Sequence, residues 1–368
     1  MTSSVNDGMT NNVTSSTTNK KPDVTSTIVS GLNIPVDRAI DVICLGRAGV
    51  DLYAHEENTD FNDVTKFDKY VGGSPANIAV SLSKLGAKSG LISCVSNDGL
   101  GRYVCSYLQQ LGVDIRGVSI DETGSRTSLA ITEMKAEDCE VVIYRNNAAD
   151  LSLSIEHIDR AYITEAKMLL ISGTALSTSP SREATLSAIR YAREANTLVV
   201  LDIDYRAYSW RSPADSSLYY QLAASLSDVV IGNREEFAVM GYLDKEGDQD
   251  SQGKSQNDDQ MAQRYFQGVT KVIIVKAGEQ GSKVYSCDGE KFEQGIFPVE
   301  VKKPFGAGDS FAGTLMYALL QGHDLKESVK MGSASAAINV SKKSCTEAMP
   351  TKAELMAFLA THETTSLT

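Results

Sequence analysis

From Asp41 onward, short apolar runs alternate with amphipathic stretches of helical length. The pattern predicts strands over Asp41–Gly46, Met168–Ser172, Leu198–Ile203, Val229–Gly232 and Val272–Lys276. It predicts helices over Pro75–Leu85, Gly101–Leu111, Ser181–Glu194 and Gly308–Leu320. Apolar strands separated by helices are the signature of a parallel-dominated sheet covered on both faces, so the expected fold class is α/β with a three-layer α/β/α core.

Two stretches, 52–71 and 127–145, break the alternation. Within the second, Leu129–Glu133 and Val141–Tyr144 flank a polar turn. These runs are predicted to pair into a small β lid over one end of the main sheet, placed to exclude water from a reaction. Residues 1–38 are rich in Ser, Thr and Asn with hardly any apolar periodicity, which predicts a disordered tail whose loss leaves folding and turnover unchanged. One domain is expected over 39–363. Asp244–Gln260, polar, acidic and glycine-containing, reads as a mobile surface insertion.

Composition narrows the function. With 42% hydrophobic residues in 368, the chain has enough apolar mass for a sizeable core. Lysine and arginine number 35 against 47 acidic residues, a net charge of −12, which argues against nucleic acid or anionic lipid as a general partner. An anionic substrate therefore has to be held by a local site. The six cysteines lack CxxC spacing and read as free thiols in a reducing compartment. No apolar run approaches the roughly 18 residues of a membrane helix, and the N-terminus lacks a secretory pattern, so the expected location is the cytoplasm. His55, His157, His323 and His362 fall outside every motif and are expected at the surface, and no residue set suggests a nucleophilic or zinc centre.

The strongest chemical signal is Gly306-Ala307-Gly308-Asp309, opening an apolar helix. A glycine turn at a helix N-terminus aims several amides and the positive end of the dipole at one point, suiting the charge on a transferring phosphoryl group. Asp309 at its mouth is placed to accept a hydroxyl proton. A tight turn with Asp309 as a helix cap explains the same residues. The second signal is Gly72-Gly73-Ser74-Pro75-Ala76-Asn77, where paired glycines permit close approach to a ligand and Asn77 offers a donor and an acceptor to sugar hydroxyls.

In this order the two motifs resemble the signatures of the ribokinase (PfkB) family of carbohydrate kinases, over about Asp41 to Leu359. The resemblance implies a ribokinase-like core with a β lid, ATP as phosphoryl donor, Mg²⁺ as its counter-ion, and a homodimer joined through the lid. Carried over residue by residue, it makes Asp309 the catalytic base and the amides of Gly306, Ala307 and Gly308 the anion hole. Asp51 then corresponds to the aspartate that grips substrate hydroxyls, with Gly72, Gly73 and Asn77 lining the sugar pocket. Asn233-Arg234-Glu235-Glu236 resembles the NxxE element, which implies Asn233 near the nucleotide and Glu236 organising hydrated Mg²⁺; a capping box is a compatible second reading. Lys276 through Ser282 resembles the glycine turn near ATP, with Lys276, Gly278 and Gly281 as contacts, although a hairpin connection accounts for it as well. One departure is plain: Lys303-Pro304-Phe305 stands where the family commonly has Asp-Thr-x, and this leaves the triphosphate contact there open.

Longer strings, among them Lys303 to Asp309 and Leu201 to Arg206, resemble a branch acting on a keto-deoxy sugar acid of myo-inositol breakdown, phosphorylated at its terminal 6-hydroxyl. In the related 2-keto-3-deoxygluconate kinases two arginines meet the substrate carboxylate, and Arg145 and Arg206 stand at the matching positions. A guanidinium fork suits a carboxylate; a solvated lid residue for Arg145, and an ion pair with Asp202 or Asp204 for Arg206, are the plainer readings. The alternatives are 2-keto-3-deoxygluconate or a fructose-like sugar as acceptor, or a non-catalytic sugar-binding regulator, for which an intact Asp309 would be superfluous.

Overall fold

Runs such as Leu198–Asp202 and Val272–Lys276 are almost wholly buried, and with no polar face to turn to water they form central strands. A computed structural model describes residues 26–241 and 258–365. Its main sheet has nine strands in the order Lys291–Gln294, Ser282–Ser286, Val272–Lys276, Val229–Asn233, Leu198–Asp202, Ala166–Ser172, Ile40–Leu45, Ser89–Ser96 and Asp114–Asp121. Neighbours are parallel except for the two antiparallel pairings at the Lys291–Gln294 edge.

Because strand side chains alternate, each strand feeds two cores. Val42, Cys44, Met168, Leu170 and Val200 pack on one face with Ser74–Leu85, Ala307–Leu320 and Leu325–Val340. Ile43, Leu45, Leu169, Ile171 and Leu201 pack on the other with Ser181–Glu194 and Pro213–Ser225. This is the expected three-layer arrangement. A separate four-stranded sheet runs in the order Phe67–Gly72, Gly49–Glu57, Leu129–Met134, Val141–Tyr144, drawing on both stretches that break the alternation. It starts at Gly49, so Asp51 belongs to it.

Several elements escape the periodicity argument. Ser89–Ser96 is buried at all eight positions, yet three of them are serine and one is glycine, so it carries no long apolar run. Leu325–Val340 is rich in small residues and buried on nearly every face, so it shows no amphipathic stripe.

The expected tail to residue 38 is corrected by a hairpin. Ser26–Val29 pairs antiparallel with Leu32–Pro35; Val29, Leu32 and Ile34 are buried against the first core, and Ser30 Oγ accepts from the Leu325 amide at 3.1 Å. Three buried apolar residues in so short a hairpin are too few to register as periodicity, but docking on an existing core repays their ordering. Residues 1–25 and 242–257 lie outside the described residues, which covers most of the Asp244–Gln260 expectation; its last three residues open the helix Asp258–Tyr265. The four histidines are exposed and the six cysteines are free. Among the described residues no helix is long and apolar enough to cross a membrane.

Fully burying a Val, Leu or Ile is worth roughly 1.5–3 kcal/mol. Deleting residues 1–38 is therefore expected to lower stability by at least about 3 kcal/mol, read as a lower urea midpoint at constant slope. An unchanged midpoint would restore the tail reading.

Candidate active site

Two helix N-termini define the site. Gly306, at φ 85°, caps Ala307–Leu320, and Gly73, at φ 102°, caps Ser74–Leu85; neither helix has a side chain bonded to its first amides. Those N–H groups remain available to an anion. The left-handed φ at Gly306 would strain any other residue, and a Cβ there would come within 2.7 Å of Asn339 Oδ1 and Cys345 Sγ.

Asp309 sits in the first turn of its helix, but it does not cap it. Ser74 Oγ donates to Asp309 Oδ1 at 2.7 Å and Asn77 Nδ2 donates to Oδ2 at 2.7 Å. The two glycine motifs therefore meet through one carboxylate. The capping reading of Asp309 fails because its oxygens face the other helix. Asn77, expected on the sugar, uses its amide nitrogen to orient Asp309, and its Oδ1 is buried without a partner. Ser74 was missed as a site residue: the motif contains it, but nothing in one sequence distinguishes it from a helix-opening serine.

Burial raises the Asp309 pKa to about 6, with the nearby Asp204 charge adding and Asn77, Ser74 and Arg206 opposing. A carboxylate so tuned is ionised at neutral pH and still more basic than one in water.

Asp51 is buried and accepts from Tyr53 Oη at 2.9 Å through Oδ2, while Oδ1 has no partner. Burial raises its pKa against the pull of Arg47 and Tyr53. A Cβ on Gly72 would lie 1.9 Å from Asp51 Oδ1, so Gly72 makes room for that carboxylate; one on Gly73 would lie 2.3 Å from the Arg47 carbonyl. An orphaned buried carboxylate oxygen is costly unless something polar meets it, and a ligand hydroxyl suits it.

Lys276 Nζ is 3.4 Å from Asp202 Oδ1, and a Cβ on Gly308 would come within 3.2 Å of it, so this ammonium stands beside the GAGD turn. Burial drives Asp202 above the ordinary carboxylate range, opposed by Lys276 and reinforced by Glu236, Asp204 and Asp309. Gly278 and Gly281, at φ 56° and 77°, form the hairpin turn to Ser282–Ser286, closed by Ala277 N–H donating to the Gly281 carbonyl at 2.7 Å.

Asn233 and Glu236 form a capping box: Asn233 Oδ1 accepts from Glu236 N at 2.8 Å, and Glu236 Oε2 accepts from Asn233 N at 2.7 Å. Glu236 Oε1 also accepts from the Tyr205 amide at 3.1 Å. Among the described residues no set of three or more acidic, His or Cys side chains forms a metal cage. Asp202, Asp204 and Glu236 gather negative charge that Lys276 and Arg206 balance only partly, and such a set fits a divalent cation held through its own water shell.

The two arginines differ. Arg145 is buried, with Nε and Nη2 donating to Asp150 Oδ2 at 2.9 and 2.6 Å, Nη2 also to the Thr174 carbonyl, and Nη1 to Ser209 Oγ. It is neither a solvated lid residue nor an uncommitted cation. Arg206 is half-exposed; Nη2 is 2.8 Å from Asp204 Oδ1 and Nη1 donates to its neighbour's carbonyl, which leaves one edge of the fork open. Asp204 adopts φ 41°, unusual for a non-glycine residue, and accepts from Ser172 Oγ at 3.0 Å.

The sequence profile of the pfkB family carbohydrate kinases matches residues 39–352. The chain belongs to this family. It is 59% identical over 327 residues to a Photobacterium profundum protein named 5-dehydro-2-deoxygluconokinase, covering 89% of this chain and 97% of the relative. It is 45% identical over 328 residues, with the same coverages, to a Bacillus thuringiensis protein of that name. Among solved structures, a PfkB protein of Polaromonas sp. superposes with a TM-score of 0.74 at 27% identity, over 87% of this chain and 100% of that one. A Pyrococcus horikoshii sugar kinase in complex with ATP superposes with a TM-score of 0.72 at 27% identity, over 86% and 97%. The ribokinase-like fold and a carbohydrate kinase activity follow from these matches.

An Asp309 pKa raised to about 6 means that this carboxylate protonates as pH falls through that value. kcat/KM is expected to fall on the acid side with an apparent pKa near 6. Asp309→Asn should reduce kcat by on the order of 10² or more while ATP binding persists; flat acid-side kinetics or near-normal turnover would exclude Asp309 as base.

Proposed function

We propose that this kinase transfers the γ-phosphoryl group of ATP to the terminal 6-hydroxyl of 5-dehydro-2-deoxy-D-gluconate, a step of myo-inositol catabolism. The observation that carries the chemistry is the Asp309 carboxylate, oriented by Ser74 and Asn77 beside an uncapped helix N-terminus. What supports the substrate is the 59% identity over nearly the whole of a relative named for it.

In this reading Asp51 and the Gly72–Gly73 turn receive the sugar hydroxyls, and the acceptor hydroxyl gives its proton to Asp309 as its oxygen attacks phosphorus. ATP and Mg²⁺ supply the phosphoryl group and screen its charge. The amides of Gly306, Ala307 and Gly308 with the Lys276 ammonium take up negative charge on the transferring group, so this chain contributes mainly positioning and electrostatics. Glu236 acts indirectly, holding the Asn233 turn and the Tyr205 amide in place, with any contact to the metal passing through water. Gly278 and Gly281 shape the turn that brings Lys276 to the nucleotide.

Arg206 is the carboxylate anchor, because its fork has an open edge and Arg145 is neutralised by Asp150. Arg145 shapes the pocket through Ser209 and Thr174. The lid sheet closes over the acceptor, and exposed Val141, Tyr144 and Phe67 on it favour pairing of two chains there. Six free thiols favour a reducing cytoplasm.

A charge-assisted hydrogen bond contributes roughly 1.5–3 kcal/mol, or about one to two decades in kcat/KM. Arg206→Met should cost 5-dehydro-2-deoxygluconate that much while leaving fructose nearly unchanged. Arg145→Met should instead lower thermal stability, since it strands Asp150 in the interior. Comparing kcat/KM for both acceptors and for 2-keto-3-deoxygluconate decides it: a preference for fructose in the wild type, or equal losses for acid and neutral acceptors, overturns the assignment.

A further inference from the structure

Lys303 belongs to the segment that departs from the family pattern, and its surroundings are unusual for a lysine. It is fully buried. Its Nζ donates to the Phe305 carbonyl at 2.7 Å and to Asn339 Oδ1 at 2.7 Å, and lies 5.2 Å from the centre of the Phe305 ring. Among the described residues no carboxylate pairs with it; its hydrogen-bond acceptors are neutral. Asn339 is fixed in turn by donating through Nδ2 to the Cys345 carbonyl at 2.9 Å. A Cβ on Gly306 would come within 3.2 Å of the Lys303 ammonium, so the charge lies against the residue that caps the GAGD helix.

An ammonium taken out of water without a counter-ion is expensive, and an apolar side chain of similar length would fill the space at lower cost. A phosphoryl group held at the amides of Ala307 and Gly308 would place an anion across the Gly306 turn from this ammonium. Burial lowers the Lys303 pKa, and the neighbouring Cys345 and Asp309 oppose that shift.

We infer that Lys303 is a built-in cation behind the anion hole: a positioning residue whose fixed charge, acting through the Gly306 turn, helps the amides of Ala307 and Gly308 hold the transferring phosphoryl group. It touches neither sugar nor nucleotide. The inference rests on the phosphoryl-transfer reading above, and wild-type turnover tests that reading separately.

The test compares Lys303→Met, which keeps volume and removes charge, with Lys303→Ala, which leaves a cavity lined by the Phe305 carbonyl and Asn339. Each folded variant should show kcat at least about tenfold lower with the acceptor KM within about twofold of wild type. Ammonium chloride should restore part of kcat in Lys303→Ala in a saturable way, where tetramethylammonium chloride at equal ionic strength does not, and Lys303→Met should not respond. Wild-type kcat in either variant overturns the proposal, as does a loss in Lys303→Ala that ammonium leaves untouched. If neither variant folds even in ammonium, Lys303 is a structural peg and the proposal fails. Absence of kinase activity in the wild type would instead overturn the underlying function.

Discussion

The site depends on one carboxylate shared by two helix N-termini. Asp309 arrives on the helix that follows the GAGD turn, and Ser74 and Asn77 arrive from the far end of the sequence at the start of Ser74–Leu85. Both helices pack on the same face of the main sheet, so the layer that buries the first core also fixes the distance between the motifs. Neither helix caps its first turn with its own side chain. Two sets of unsatisfied amides with their positive dipole ends thus converge on one buried negative group, a preference expected from the macrodipole alone. Orientation of the Asp309 carboxylate and availability of the uncapped amides are consequences of the same junction.

That junction stores unfavourable electrostatics. Asp309 and Asp202 both have raised pKa values because burial and like charges oppose ionisation, and Asp51 is raised by burial. For a carboxylate whose folded pKa exceeds its unfolded one, the folded state binds more protons between the two values. Its ionisation therefore costs stability as pH rises through that window, and the cost persists at neutral pH. Lys276, Arg206 and Arg47, together with neutral donors, offset part of it.

How much of this was legible in the sequence follows from the range of each interaction. The central strands are contiguous in sequence and apolar throughout, so Val272–Lys276 and Ser181–Glu194 read out at the residues where the structure has them. The Val29, Leu32 and Ile34 hairpin did not, because its stability comes from a core assembled elsewhere. Gly306, Asp309, Gly72 and Asn77 stand out as motifs. The partner of each did not, since Asn77 reaching Asp309, or Asp51 occupying the space a Gly72 side chain would fill, are contacts between distant segments. Local capping was readable from spacing, as the Asn233–Glu236 box shows. The ion pairing of the arginines was only half readable: Arg206 meets Asp204, two residues away, whereas the commitment of Arg145 to Asp150 depends on how the segment after the lid folds back.

Glycines mark where the site needs absence. At Gly72 the missing side chain admits a carboxylate, at Gly306 it admits the Lys303–Asn339 pair, and at Gly308 it leaves Lys276 room beside the turn. In each case a polar or charged group moves into the vacated space, and in each case that group lies against one of the two glycine turns. Substituting alanine at these positions would therefore displace a charge as well as crowd the backbone, and at Gly306 it would add the penalty of a left-handed conformation. The density of glycine here is better understood as a way of packing charges closely around a small reaction volume than as local flexibility, because the groups that fill the space are held by hydrogen bonds at fixed distances. A site built this way is stiff, and stiffness is what positioning two reactants against each other requires.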